Sequence, residues 1–276
     1  MRIAVVAPSR PIAPETANRV RALAAERWGG TVELAFHPQC FLSEGHFAGS
    51  DAARAEAFVE AANDPAVDAV WFARGGYGSG RMVEAALAGL GPAARDKAYL
   101  GYSDGGVLLS ALHRAGIGAP AHGPMVDDVR REGGEAAVLR ALSWLVERDP
   151  AALEGGLAKD PGPPLAFNIA ILSGLLGTPW EPGFEGRVLL LEEVAEPTYR
   201  TDRMLWQITS SPRVRRAAGI RLGRCTQVVP NDPDFGRAEE AIAREWCERS
   251  GIAWLGRADI GHDAENKVVP FGGLPA

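Results

Sequence analysis

A chain of 276 residues with 46% hydrophobic and 23% charged positions has the balance of a folded globular protein, long enough for one large domain or two modest ones. A net charge of −6 without any Lys/Arg block excludes the electrostatic footprint of a nucleic-acid binder. No run approaches the roughly 20 apolar residues that span a bilayer, and the apolar start before Pro8 is too short for a secretory leader, so a cytoplasmic location and a small-molecule partner are expected.

The first half alternates strand and helix, the pattern of a parallel sheet covered on both faces. Residues 3–7 predict a strand, 14–28 a helix closed by Gly29-Gly30, and 31–36 a second strand. Asp51 is expected to cap a helix to about residue 62; 67–73 predict a third strand, 80–90 a helix, 98–101 a strand and 106–115 another helix. A helix over 135–148 closes this unit, which we place at residues 1–150. Residues 151–164, rich in glycine, proline and charge, read as an exposed connection. The second unit, 165–276, shows strands at 187–191, near Ile220, at 226–229, 252–255 and 267–271, with helices at 201–210 and 236–249. Its excess of strands predicts a smaller β-rich α+β domain.

Two glycine-rich turns follow strands at their carboxyl ends, the edge at which open α/β sheets bind ligands. One is Gly101-Tyr102-Ser103-Asp104-Gly105, a G-x-S-x-G sequence between a strand and a helix. Such a turn exposes a serine hydroxyl at a helix N-terminus, where unpaired backbone N–H groups favour an oxyanion; a Ser/Asp helix cap is the plain alternative. The other, Arg74-Gly75-Gly76-Tyr77-Gly78-Ser79-Gly80, spaces its glycines G-x-G-x-G from Gly76 onward and so fails the dinucleotide fingerprint. It suits an oxyanion nest or a plain loop.

A serine nucleophile needs a base and a group to orient it. Of five histidines, His262 in Asp259-Ile260-Gly261-His262-Asp263 is the strongest candidate, since it lies in a loop between strands. His37 and His46 sit in early loops, His113 lies inside a helix, and His122 reads as a turn residue able to shape the site. For the orienting acid, Glu192-Glu193 follows an apolar strand; alternation allows only one of them to face a given site, and spacing does not choose. Arg200 and Arg203 are able to clamp a substrate carboxylate or to form a salt-bridged helix start. With Arg74 and Tyr77 of the glycine turn they are the candidate substrate-binding side chains. Cys40, Cys225 and Cys247 form no C-x-x-C pair, and no His/Cys/Asp cluster has ligand spacing, so neither metal nor cofactor is expected.

Taken in order, Val6-Ala7-Pro8-Ser9, Ala73-Arg74-Gly75-Gly76-Tyr77-Gly78, Gly101-Tyr102-Ser103-Asp104, His122-Gly123-Pro124-Met125, Leu191-Glu192-Glu193, Tyr199-Arg200-Thr201-Asp202-Arg203-Met204-Leu205 and Gly261-His262 make the chain resemble the LD-carboxypeptidases, serine peptidases that include the microcin C immunity peptidases. The resemblance implies an N-terminal doubly wound parallel sheet similar to class I glutamine amidotransferases, a smaller C-terminal domain and a homodimer. It implies Ser103 as nucleophile, Glu192 rather than Glu193 as acid, His262 as base, and backbone N–H groups of Gly75, Gly76 and Asp104 as oxyanion hole. The implied activity is release of terminal D-alanine from a murein tetrapeptide in peptidoglycan recycling. A family relative hydrolysing a peptidyl-nucleotide amide is the alternative; an α/β-hydrolase esterase and a non-catalytic binding protein are more distant rivals. The chain departs from the family in having Glu192-Glu193 for Glu-Asp, and Gly105-Gly106 where a β-branched residue is usual.

Overall fold

The computed structural model describes residues 1–273. Its first sheet is built from apolar strands too continuous to face water: β1 (Arg2–Val6), then, after helix α1 (Pro14–Trp28), β2 (Glu33–Phe36). Pro14 opens α1 where a missing N–H costs nothing. Helix α2 (Asp51–Asn63) leads to β3 (Ala69–Phe72), α3 (Ser79–Ala88) to β4 (Ala98–Gly101), and α4 (Gly106–Ala115) to β5 (Ala119–His122). The cap of α2 is Ser50 rather than Asp51: its hydroxyl accepts from the Ala53 N–H at 3.2 Å, while Asp51 pairs with Arg54 and Arg81. Helix α5 (Gly134–Glu147) completes this part.

Strands β2, β1, β3, β4 and β5 run parallel in that spatial order. Alternation divides their side chains between two buried layers, Val70, Phe72 and Tyr99 on one face, Trp71 and Leu100 on the other. The first face packs α2, α3 and α4 through Phe58, Met82 and Leu108; the second packs α1 and α5 through Val20 and Leu142.

The second sheet comprises β6 (Pro164–Asn168), β7 (Val188–Val194), β8 (Gly219–Thr226) and β9 (Trp254–Arg257), with α6 (Ile169–Leu175), α7 (Thr198–Ser210) and α8 (Glu239–Ser250) between them. All four strands are parallel, so the smaller unit is α/β where its count of strands suggested α+β. The short strand expected near Ile220 is β8, which ends at Thr226; the one expected at 226–229 keeps only that residue, Val229 making an isolated bridge to Pro197.

Two further expectations are corrected. Residues 151–164 are exposed only in part: Ala151, Gly155, Ala158, Lys159, Pro161 and Pro163 are exposed, but Ala152 is buried, and the buried Glu154 carboxylate accepts two 2.8 Å bonds from Arg221, which also meets Asp160 at 3.2 Å. Polar composition there supplies ion pairs as well as solvated positions. The strand expected at 267–271 does not belong to the second unit either, because β10 (Val269–Pro270) returns to the first sheet and pairs antiparallel with β5. One apolar core runs on from α4 through Phe167 to Leu189 and Ile208, joining the two units.

Candidate active site

Ser103 stands where β4 turns into α4, with φ of 55°, a left-handed conformation that non-glycine residues adopt rarely. Glycines make the turn possible by close packing: a Cβ on Gly101 would lie 2.3 Å from the Phe72 ring. The neighbouring carboxylate of Asp104 points into the protein, accepting from the Ser79 N–H at 2.8 Å and from the Ser9 hydroxyl. The Asp104 carbonyl accepts the Ser79 hydroxyl at 2.5 Å. The start of α3 and the loop after β1 are thereby tied to the serine turn. The Arg74–Gly80 turn comes close as well, since a Cβ on Gly75 would meet the Ser103 Cβ at 2.9 Å and its Oγ at 3.0 Å.

At the end of β7 the pleat sends the two glutamates apart. Glu192 Oε2 lies 2.5 Å from His262 Nδ1, and both side chains are buried. Glu193 turns to the start of α6, accepting from Asn168 Nδ2 at 2.7 Å, the Ala170 N–H at 2.9 Å and the Val194 N–H at 2.8 Å. Burial raises the Glu193 carboxyl to about 7, the N–H donors of Val194, Asn168 and Ala170 oppose the rise, and the Glu192 charge adds to it. For His262, burial favours the neutral ring, but the Glu192 carboxylate outweighs it and the pKa lies above the ordinary imidazole value. Because a carboxylate only accepts, it holds the His262 proton on Nδ1 and leaves Nε2 as the basic nitrogen of the neutral ring. That Nε2 is buried without a hydrogen-bond partner among the described residues.

Ser103 and His262 line the same cleft, of about 600 Å³, together with Arg10, Arg74, Asp127 and Arg131. Ser103, Ala195 and Gln227, three of the four left-handed non-glycine residues among those described, line it; the fourth, Arg148, ends α5. Backbone strain is therefore concentrated at this cleft.

Sequence reasoning missed the frame around His262. Tyr102 packs its ring 4.7 Å from the imidazole and donates its hydroxyl to Asp128 at 2.8 Å. Arg131 bonds the same carboxylate at 2.8 Å and donates to the His262 carbonyl at 2.7 Å. His122 is a buried strand residue, not a turn residue, 3.3 Å from Asn266; burial lowers its pKa to about 4, so the ring is neutral. Tyr102, beside the serine, and His122, read from the sequence as able to shape the site, had a local signal; Asp128 and Arg131 had none.

The proposed substrate-binding side chains separate. Arg74 lines the cleft, 3.2 Å from Asp127, whereas Tyr77 is 56% exposed and packs with His46 and Phe47 outside the lining. Arg200 and Arg203 also lie outside it on α7, the first paired with Glu196 at 2.9 Å and the second over the Tyr199 ring. The motif alone could not say which helix face it occupied. Among the other histidines, His37 meets Glu60 at 3.0 Å and His113 packs edge-on against Phe271.

Known proteins share this arrangement of the chain. The LD-carboxypeptidase N-terminal domain matches residues 3–123, and the LD-carboxypeptidase C-terminal domain matches residues 162–274. A murein tetrapeptide carboxypeptidase from Pseudomonas aeruginosa is 31% identical over an alignment covering 98% of this chain and 91% of that protein. The crystal structure of muramoyltetrapeptide carboxypeptidase from Oxalobacter formigenes superposes with a TM-score of 0.79 at 25% identity, covering 98% of this chain and 93% of that one. The fold is also that of MccF in complex with glutamyl sulfamoyl guanosine, with a TM-score of 0.77 at 17% identity over 98% of this chain and 91% of that one. Matched in order by both domains, and by a relative along nearly its whole length, the chain belongs to the LD-carboxypeptidase family.

Proposed function

We propose that this protein is a metal-independent serine LD-carboxypeptidase that hydrolyses the L,D-peptide bond releasing terminal D-alanine from murein tetrapeptides during peptidoglycan recycling. The observation that carries the reading is the buried Glu192–His262 pair, 2.5 Å apart, on the cleft lined by the left-handed Ser103. The name of the Pseudomonas aeruginosa relative supports the substrate class.

In this mechanism His262 Nε2 takes the Ser103 hydroxyl proton as Oγ bonds to the scissile carbonyl carbon. The carbonyl electron pair moves onto oxygen, which the N–H groups of Gly75, Gly76 and Asp104 receive. Such a donor is worth about 2.7–4 kcal/mol in the transition state. The C–N bond then breaks as the imidazolium gives its proton to the departing amine; water, deprotonated by the same imidazole, bonds to the acyl carbon, and the acyl C–Oγ bond breaks as the imidazolium returns that proton to Ser103 Oγ. Glu192 steadies the imidazolium throughout. The Ser103–His262 hydrogen bond, absent here, is expected to form when substrate enters, as such bonds often tighten only in the complex.

Purified, folded Ser103→Ala should lose D-alanine release by about a millionfold, and release at the wild-type rate would overturn the reading. Chelator treatment should leave the wild-type rate unchanged. The cytoplasmic location and the homodimer implied by the resemblance are part of the same proposal, checked by fractionation and light scattering.

A further inference from the structure

We propose that Arg10 receives a carboxylate of the substrate peptide and sets a preference for acidic over amidated peptides. The inference rests on the carboxypeptidase reading. Four arginines line the cleft against two aspartates. Arg74 and Arg130 meet Asp127 at 3.2 and 3.6 Å, and Arg131 meets Asp128 at 2.8 Å. Arg10 lines the same cleft with an exposed side chain and has no ion pair or side-chain hydrogen bond among the described residues.

Its backbone is nevertheless held on both sides. The Pro8 carbonyl accepts from Arg54 Nη1 at 2.5 Å, the Ser9 carbonyl accepts from the Ala48 N–H at 3.0 Å, and the Ile12 N–H donates to the Cys40 carbonyl at 3.0 Å. The aliphatic stem lies across Gly76, where a Cβ would come within 2.4 Å of Arg10 Cδ and 2.6 Å of Cγ. Gly76, with φ of 116°, thus both opens the turn beside Ser103 and leaves the track on which the arginine stem rests. A guanidinium whose backbone and stem are fixed, whose charge is unpaired and whose three arginine neighbours share only two carboxylates is preorganised for a carboxylate from solution. A murein peptide offers such a group at its terminus and within the chain, and the chemistry of recognition is the same for both.

The test compares wild type, Arg10→Gln and Arg10→Lys on a muramoyl tetrapeptide, on the same peptide amidated at its terminal carboxyl, and on one amidated at its internal carboxyls. Arg10→Gln should lower kcat/KM for the acidic peptide by about 10- to 100-fold and leave one amidated peptide cleaved as well as by wild type; that peptide identifies the carboxylate. Arg10→Lys should recover part of the loss. If Arg10→Gln and wild type respond alike to amidation at every position, the inference is overturned. Calorimetric binding of the same peptides to Ser103→Ala protein, with and without Arg10→Gln, reads the contact independently of turnover. If the wild-type protein itself released no D-alanine while Arg10→Gln still weakened binding to the Ser103→Ala protein, the arginine would be upheld and the proposed activity rejected; unchanged binding would reject the arginine.

Discussion

The carboxylate of Glu192 and the imidazole of His262 meet at 2.5 Å in a buried site, although 70 positions separate them in the chain. The pair raises the imidazole pKa, and a base must be neutral to accept a proton. Activity should therefore fall as pH drops through a value above the ordinary ~6.5 of histidine. Glu192→Gln should move this acid limb of kcat/KM to lower pH and cut kcat by about 10⁴-fold. A limb left in place would separate His262 from the observed titration.

Glu193 predicts the opposite pattern, because its carboxylate serves the start of α6 and not the imidazole. Glu193→Gln keeps one oxygen for three donors and should cost about 1–3 kcal/mol of stability while leaving kcat/KM within a few-fold. Since the folded-state pKa is raised to about 7, the native protein holds this proton more tightly than the unfolded chain. Its contribution to stability is thus present below about pH 4.5 and is lost as pH rises through about 7. Denaturant titration across that window should show a weaker decline in the variant than in wild type.

Gly75→Ala places a methyl group against the serine turn, 2.9 Å from Ser103 Cβ and 3.3 Å from Met125 Cε before relaxation. Displacing a nucleophile by a fraction of an ångström to 1 Å costs on the order of 100-fold, so kcat should drop by about that factor. A variant as active as wild type would show that the turn yields without moving Ser103.

Arg131 joins the His262 carbonyl to Asp128 and so fixes the loop that carries the imidazole. Arg131→Met should lower kcat by about 10- to 100-fold with a smaller change in KM, and Arg131→Lys should restore part of the rate. A change confined to KM would place the arginine on the substrate rather than behind the histidine.

What was legible in the sequence followed the range of the interactions involved. The serine turn depends on glycines within a few residues, and the parallel strands on continuous apolar runs, so both could be read locally. Strand β5 was missed because Ala119-Pro120-Ala121-His122 contains a proline; its carbonyl still accepts from the Phe271 N–H at 2.9 Å, which the linear pattern does not disclose. Glu192 could be separated from Glu193 by family resemblance, but the pleat states the choice physically only once the partner loop is in place. The arginines on α7 had a conspicuous motif and lie outside the cleft, whereas Arg10 and Arg131 had none and line it. Their positions are fixed by contacts among distant segments.

Strand β10 gives the His262 loop an anchor at each end: β9 in one sheet before it, β5 in the other after it. The loop is therefore a strap across the two halves, and neither half can swing away without pulling on the imidazole. A chain cut after Asn266 would retain hydroxyl, imidazole and carboxylate yet lose the tether that keeps them in common register. The cost of that cut would be paid in alignment, by an intact set of reactive groups with nothing to hold them to one another.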